Sequence, residues 1–183
     1  MGLETCKIAP TPNSTTAAKD DEEDDQPLDA EEASTFRTVT GILAYFGVGR
    51  RDVQYDINKL ARQMREPKTS GWTRMKRLLR YLAGTFDAYI WIAKPNETLF
   101  DYGTVELKVW TDSDWAGDRK DRRSQSSLLI EADGQPMFGH SRRQAVVAQS
   151  SAEAEFYAAA SGLSEAMLLR EVFLFAGLPW RPP

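Results

Sequence analysis

Two segments separated by an Asp133-Gly134 dipeptide constrain the fold of this chain more than any other feature. The segments run from Gln125 to Ala132 and from Gln135 to Ser141, and Asp-Gly favours a tight turn whose two central residues have positive φ. The pattern therefore predicts an antiparallel β-hairpin. A further strand is predicted upstream, from Leu107 to Asp112, where apolar and polar residues alternate.

A long helix is expected after the hairpin. Ser150 or Ser151 is suited to cap its N-terminus, and Glu153 lies in the first turn, where an acidic side chain favours the helix dipole. Gly177, followed by Pro179, ends the helical pattern. The apolar side of this helix is predicted to consist of Phe156, Ala159, Leu163, Met167 and Phe173 or Leu174.

Helical periodicity also dominates the segment before the strands. Apolar residues spaced by three and four predict one helix over Phe36–Phe46, a second over Val53–Met64 that Pro67 stops, and a third from near Ser70 to Gly84. The sequence Ala88–Ile92 has a strand-like composition. Helices followed by strands and a long helix indicate an α/β (α+β) fold class.

Charge is distributed unevenly along the chain. Residues 1–35 contain ten acidic side chains and two lysines, a net charge of −8, whereas the whole chain of 183 residues has a net charge of −4. The rest of the chain is therefore mildly basic. The acidic tail, 1–35, has few large apolar residues and is predicted to be disordered. No apolar run or basic leader segment indicates a membrane span or secretion, so we expect an intracellular protein without a membrane partner.

Cysteine and histidine are too rare for most catalytic sites. One cysteine excludes an internal disulfide and a cysteine-based zinc site, and one histidine excludes most catalytic dyads. Chemistry in this chain must therefore rest on carboxylates. Asp112 and Asp114 share one face at the end of the predicted strand, and Glu155 lies one turn into the long helix. If the helix packs across the sheet, Asp112 and Glu155 can point into one crevice and bind a hard cation such as Mg²⁺; alternatively, Glu155 is an ordinary helix residue.

Four motifs in the same order resemble those of copia-type LTR retrotransposon Pol polyproteins. The sequences TDSDWAGDRKDRRS and AQSSAEAEFYAA resemble the ribonuclease H domain, and RRDVQYDINKLARQM and WTRMKRLLRYLAGT resemble the end of the reverse transcriptase that precedes it. The resemblance covers about Phe36–Leu178. It implies that the chain contains the C-terminal end of a reverse transcriptase and the N-terminal part of a ribonuclease H domain.

The resemblance also implies a domain organisation and an activity. Residues 36–95 would form a helical thumb or connection segment of the reverse transcriptase, and residues 105–178 a truncated ribonuclease H-like mixed sheet with three antiparallel strands and a long helix. The family cuts the RNA strand of an RNA:DNA hybrid with two metal ions, Mg²⁺ or Mn²⁺. By motif position, Asp112 and Glu155 would be catalytic, metal-binding residues. Asp114 and Glu153 would be supporting or surface acids.

The sequence departs from the family pattern in ways that affect catalysis. Arg51 replaces a proline, Ser127 and Leu128 replace a Gly-Tyr pair, and Gly139 replaces a tryptophan. The family's two later catalytic aspartates follow the long helix, whereas the last residues of this sequence are LPWRPP. Two carboxylates offset too little of the charge of two divalent ions. We therefore expect a chain that is catalytically incomplete alone.

Two functions remain open from the sequence besides an active hybrid-cutting nuclease, which would require acids supplied by another chain. The first is a fragment of a Pol polyprotein that binds an RNA:DNA hybrid or other nucleic acid, together with the rest of the polyprotein, in the cytoplasm (a virus-like particle) or the nucleus. Its candidate nucleic-acid-binding residues are Arg74, Lys76, Arg77, Arg80, Arg122, Arg123, Arg142 and Arg143. The alternative is a non-enzymatic helical interaction module that recruits proteins through the acidic tail and the basic helix.

Overall fold

The computed structural model describes residues 6–13, 25–88, 104–118 and 121–178. The chain divides into two compact units, Met1–Tyr89 and Ile90–Pro183. Except for Ala88, which lies in no strand, the strand predicted over Ala88–Ile92 falls outside the described residues.

The first unit is helical, as predicted. Helix α1 spans Ala30–Phe46, a short 3₁₀ turn spans Arg51–Val53, α2 spans Gln54–Arg62 and α3 spans Thr69–Gly84. Apolar faces of these helices pack into one core, because each helix presents large side chains at intervals of three or four residues. The buried members of that core are Phe36, Leu43, Val53, Ile57, Leu60, Met75 and Leu78.

Helix α1 begins at Ala30, so the prediction that all of residues 1–35 are disordered is wrong for residues 30–35. Asp29 caps the helix, and its Oδ1 accepts a hydrogen bond from the backbone N–H of Glu32 at 2.8 Å. Glu31 and Glu32 lie in the first turn, where acidic side chains are favourable. Asp29, Glu31 and Glu32, which contributed to the disorder prediction, therefore mark the start of a helix.

Other parts of the predicted tail also contact the helices. Ala9 is buried, with 2% of its surface exposed, in a segment that lies along α3. Asp25 accepts hydrogen bonds from the backbone N–H and the hydroxyl of Ser70, both at 2.9 Å, and so caps the start of α3. The disorder prediction is therefore wrong for these residues as well, whereas the acidic run Lys19–Asp24 lies outside the described residues.

The second unit contains a three-stranded antiparallel sheet. Strand β1 spans Leu107–Asp114, β2 spans Gln125–Ala132 and β3 spans Gln135–Arg143, in the order β1-β2-β3. The predicted hairpin is confirmed, since Asp133 and Gly134 have φ values of 49° and 74°, as its tight turn requires. In the described part of the chain, β1 is an edge strand.

A long helix, α4, spans Ser151–Phe175 and packs on this sheet. Ser150 caps it, and Gly177 follows it with a φ of 77°, as predicted. The predicted apolar side is wrong, because the buried residues are the small ones, Ala154, Ala158, Gly162 and Ala166. A Cβ atom at Gly162 would lie 2.6 Å from Cγ2 of Thr111, so the close approach of helix and sheet requires small side chains.

The core of the second unit is small. Leu128, Ile130 and Ala166 are its buried residues, and Leu107, Phe138 and Leu169 pack against them. The expected arrangement of three antiparallel strands with one long helix is therefore present. Among the described residues, no helix is both long and apolar enough to cross a membrane.

Candidate functional site

The end of β1 and the first turns of α4 meet at the positions that the motifs single out. Oε1 of Glu155 accepts a hydrogen bond from the backbone N–H of Ser113 at 3.2 Å. Because β1 is an edge strand in the described structure, a carboxylate can reach this N–H from outside the sheet. The helix thus brings Glu155 to the main chain beside Asp112.

Asp112 is itself a residue of this strand end, next to Ser113. Val109 and Thr111 face α4, as their closeness to Gly162 shows, and side chains alternate between the two faces of a strand. Ser113 therefore lies on the helix face, whereas Asp112 lies on the opposite face and is exposed. That Asp112 and Glu155 point into one crevice stays a prediction, because the hydrogen bond places the Glu155 carboxylate at the open edge of β1 and not on one face of the sheet.

Asp114 and Glu153, the acids two positions from Asp112 and Glu155 in the motifs, stabilise local structure. Asp114 accepts a hydrogen bond from the backbone N–H of Gln125. Ser150 Oγ accepts from the N–H of Glu153 at 3.1 Å, while Glu153 Oε2 accepts from the N–H of Gln149 at 2.7 Å. This reciprocal pattern resembles a capping box, and it fixes the start of the helix that carries Glu155.

Gln144 is a positioning residue that the sequence did not reveal. It is buried, and its Nε2 donates to Ser126 Oγ at 2.9 Å and to the carbonyl of Ala154 at 2.8 Å. It therefore ties β2 to the first turn of α4, one residue before Glu155. The only signal in the sequence is a lone amide side chain at the start of the apolar segment QAVVA. Beside the site, the buried Oγ of Ser113 has no hydrogen-bond partner in the described structure.

Two of the predicted basic residues on α3 make contacts within the first unit. Arg74 Nη1 lies 3.0 Å from Oδ1 of Asp56, whose side chain is 1% exposed. Burial raises the pKa of Asp56, and the nearby Arg74 opposes that rise. Lys76 Nζ lies 5.4 Å from the ring centroid of Trp72, within the range of a cation–π contact. Arg74 therefore serves the fold of this unit.

The other two basic residues of α3 hold the segment 6–13. Arg77 Nη2 donates to Thr11 Oγ1 at 2.9 Å, and Arg80 Nε donates to the carbonyl of Lys7 at 2.5 Å. This segment thus covers part of the basic face that was predicted to follow phosphates. Nucleic acid would have to compete with these bonds to reach Arg77 and Arg80.

The predicted basic residues of the second unit differ in exposure. Arg143 forms an ion pair with Asp121, and Arg123 Nε lies 3.9 Å from the same carboxylate. Arg142 is bonded to a glutamate of α4, but its side chain remains 59% exposed. Arg122 is also exposed, on a loop position with a φ of 59°. Arg122 and Arg142 are therefore the more accessible cations of this set.

The carboxylate oxygens at the strand end are of the type that binds a divalent cation. They are too few for a site that holds two metal ions. Carboxylate oxygens are the ligands that Mg²⁺ and Mn²⁺ prefer. Within the described ranges, however, no group of three or more histidine, cysteine, aspartate or glutamate side chains could hold a metal ion. The described residues therefore do not fit a pair of ions.

Comparison with known proteins adds evidence about the family of the chain. No family model and no solved structure matches it. It is 36% identical over 130 residues to the retrovirus-related Pol polyprotein from transposon RE2 of Arabidopsis thaliana, which covers 71% of this chain and 8% of the relative. The corresponding protein from transposon RE1 of the same plant is 33% identical over 149 residues, or 81% of this chain and 10% of the relative.

A shorter relative is matched over most of its length. The secreted RxLR effector protein 161 of Plasmopara viticola is 32% identical over 131 residues, which is 72% of this chain and 87% of that protein. The chain spans about a tenth or less of the length of the two Pol polyproteins. The chain therefore belongs to the sequence family that contains the retrovirus-related Pol polyproteins of plant transposons, and it corresponds to a short segment of them.

Proposed function

We propose that the chain is the segment of a copia-type Pol polyprotein that joins the end of the reverse transcriptase to the first part of its ribonuclease H domain. Its function in that setting is to bind an RNA:DNA hybrid and to contribute Asp112 and Glu155 to the cleavage site. The hydrogen bond between Glu155 and the Ser113 amide carries the proposal. It brings the start of the long helix to the strand end at the two motifs that resemble ribonuclease H.

Asp112 and Glu155 would hold Mg²⁺ or Mn²⁺ in this proposal, and a bound cation would stabilise negative charge on a phosphodiester. The chain's own residues prepare the site. Gln144 and the cap formed by Ser150 and Glu153 fix the first turns of α4. Because the described ranges contain no group of three or more side chains that could hold a metal ion, we expect the isolated chain to bind a cation weakly and to cleave poorly.

Cleavage by the 183-residue chain is tested with a labelled RNA:DNA hybrid and either Mg²⁺ or Mn²⁺. We expect little or no release of fragments, because two carboxylates offset only part of the charge of two divalent ions. Asp112→Asn is the control for contaminating nuclease. Robust cutting by the unchanged chain that disappears in Asp112→Asn would show that the chain alone is a complete nuclease.

Hybrid binding is tested separately by titration at increasing salt. Affinity should fall steeply with added salt, because binding to phosphates releases condensed counterions. A double variant, Arg122→Gln with Arg142→Gln, should bind more weakly and with a shallower salt dependence. Arg65→Gln, an exposed arginine outside the predicted set, is the matched control and should change little. Absence of binding at low salt would remove the nucleic-acid part of the proposal.

A further inference from the structure

Helix α4 exposes a row of mostly apolar side chains on the side away from the sheet. Six residues form this outer seam, separated alternately by four and three positions: Phe156, Ala160, Leu163, Met167, Arg170 and Leu174. The four large apolar members are 72%, 61%, 53% and 45% exposed in sequence order. An alternation of four and three is the spacing by which two helices pack side by side over several turns.

The outer seam is complementary to itself when two copies run in opposite directions. Phe156 and Leu174 lie equally far from position 165, on either side of it. The same is true of Ala160 and Arg170, and of Leu163 and Met167. In an antiparallel pair related by a two-fold axis, Phe156 would therefore meet Leu174 of the second copy, and Leu163 would meet Met167.

Charge and size favour this direction over the parallel one. Arg170, which pairs with Glu171 at 2.7 Å, would face Ala160 in the antiparallel arrangement. The small alanine leaves room for the long arginine side chain, whose charged end can stay in water. In the parallel arrangement, Arg170 would face Arg170 of the other copy, and Ala160 would face Ala160. Like charges would then repel, and the alanine layer would be underpacked.

We propose that the outer seam is a homodimer interface, in which two copies of this chain pair their α4 helices antiparallel through Phe156, Leu163, Met167 and Leu174. The proposal is independent of the nuclease-related function, since neither Asp112 nor Glu155 belongs to the seam. The proposed partner is a second copy of this chain, because reversing the outer seam brings each large apolar residue opposite another large apolar residue.

The test is sedimentation velocity of the full chain over a concentration series from low to high micromolar. The unchanged chain should shift from monomer to dimer as concentration rises, and Leu163→Glu should remain monomeric at every concentration. Leu168→Glu is the matched control, because Leu163 and Leu168 are equally exposed at 61% but lie about two-fifths of a turn apart around the helix. This control should dimerise like the unchanged chain.

Three results would overturn the proposal. They are a monomer throughout the series, a dimer that Leu163→Glu leaves intact, and a dimer that Leu168→Glu disrupts as strongly as Leu163→Glu. Circular dichroism of each variant shows whether it keeps its helices. Because both leucines are already exposed, neither change should unfold α4.

Direction is tested by disulfide formation in a Cys6→Ser background, which removes the chain's one cysteine. Two chains, one with Phe156→Cys and one with Leu174→Cys, are mixed and oxidised. The antiparallel pair predicts a mixed disulfide dimer, because like positions would lie about 27 Å apart along the helix axis. Disulfide dimers of each variant with itself, without the mixed species, would overturn the antiparallel arrangement.

Discussion

At the scale of single residues, the clearest electrostatic feature is the buried ion pair of Asp56 and Arg74. The Asp56 carboxylate is 1% exposed, so it loses its favourable hydration. The Arg74 guanidinium at 3.0 Å compensates for part of that loss. The sequence presents Arg74 as one of several cations on α3, and a helix face does not reveal which cation has a buried partner. The structure therefore gives Arg74 a role in stability in addition to the predicted contact with phosphate.

Replacing Arg74 with methionine should destabilise the first unit by about 3–5 kcal/mol at neutral pH, because the buried Asp56 carboxylate loses its ion-paired arginine. Burial raises the pKa of Asp56, and loss of Arg74 would raise it further. Because the pKa of Asp56 is higher in the folded than in the unfolded state, its contribution to stability is present at low pH. That contribution is lost as pH rises from the unfolded-state pKa through the folded-state pKa. The loss in Arg74→Met should therefore shrink at mildly acidic pH, as measured by urea unfolding at several pH values.

Lys76→Met is the matched control for this prediction. Lys76 lies on the same helix, and its ammonium group contacts the ring of Trp72 rather than a buried acid. Its loss should cost no more than about 1 kcal/mol. Equal losses in the two variants, or a loss in Arg74→Met that does not change with pH, would contradict the assigned role of Arg74.

At the scale of elements, the sequence predicts the existence and order of the described helices and strands well. Local signals determine them: the Asp133-Gly134 turn, the Ser150 cap and the apolar spacing of α1 to α3. The face that α4 buries is not a local property. Large apolar residues predicted that Phe156 and Leu163 would be inside, but a close helix–sheet contact selects small residues instead. The same limit applies to the site, since the sequence identifies Asp112 and Glu155 without showing that Glu155 bonds to the main chain of β1 at Ser113.

Two glycine-to-alanine changes test this account of α4. Gly162→Ala should destabilise the second unit by about 1–3 kcal/mol, because the added methyl group would lie 2.6 Å from Thr111. Gly41, inside α1, has nothing within 4 Å of the position of an added Cβ. There, alanine should stabilise the first unit by about 1 kcal/mol, because it favours the helix. Thermal unfolding of both variants measures the signs, and a stabilising Gly162→Ala would contradict the close contact.

At the scale of the whole molecule, the described chain contains two separate apolar cores. The first unit buries Phe36, Leu60, Met75 and other large residues. The second buries Leu128 and Ile130 with small residues of α4. Since buried apolar area is the main source of folding free energy, the second unit should be the less stable one.

Two core truncations should therefore act on different unfolding transitions. Leu60 and Ile130 are both fully buried, at 0% exposure, one in each unit, so Leu60→Ala and Ile130→Ala are a matched pair. Each should cost about 2–5 kcal/mol, which is large compared with the stability of a small domain. Urea unfolding is monitored by circular dichroism. Ile130→Ala should shift the transition of the second unit, at lower urea, and Leu60→Ala should shift the transition of the first unit, at higher urea.

Each variant should leave the unfolding transition of the other unit unchanged. Whether it does so distinguishes two independently unfolding cores from one cooperative core. If the units unfold independently, Ile130→Ala leaves the midpoint of the first unit unchanged, because sites without shared contacts act additively. If instead both variants move a single common transition, the two cores unfold as one cooperative block. In that case the second unit takes part of its stability from the first, and its small core would not be the limit on its stability.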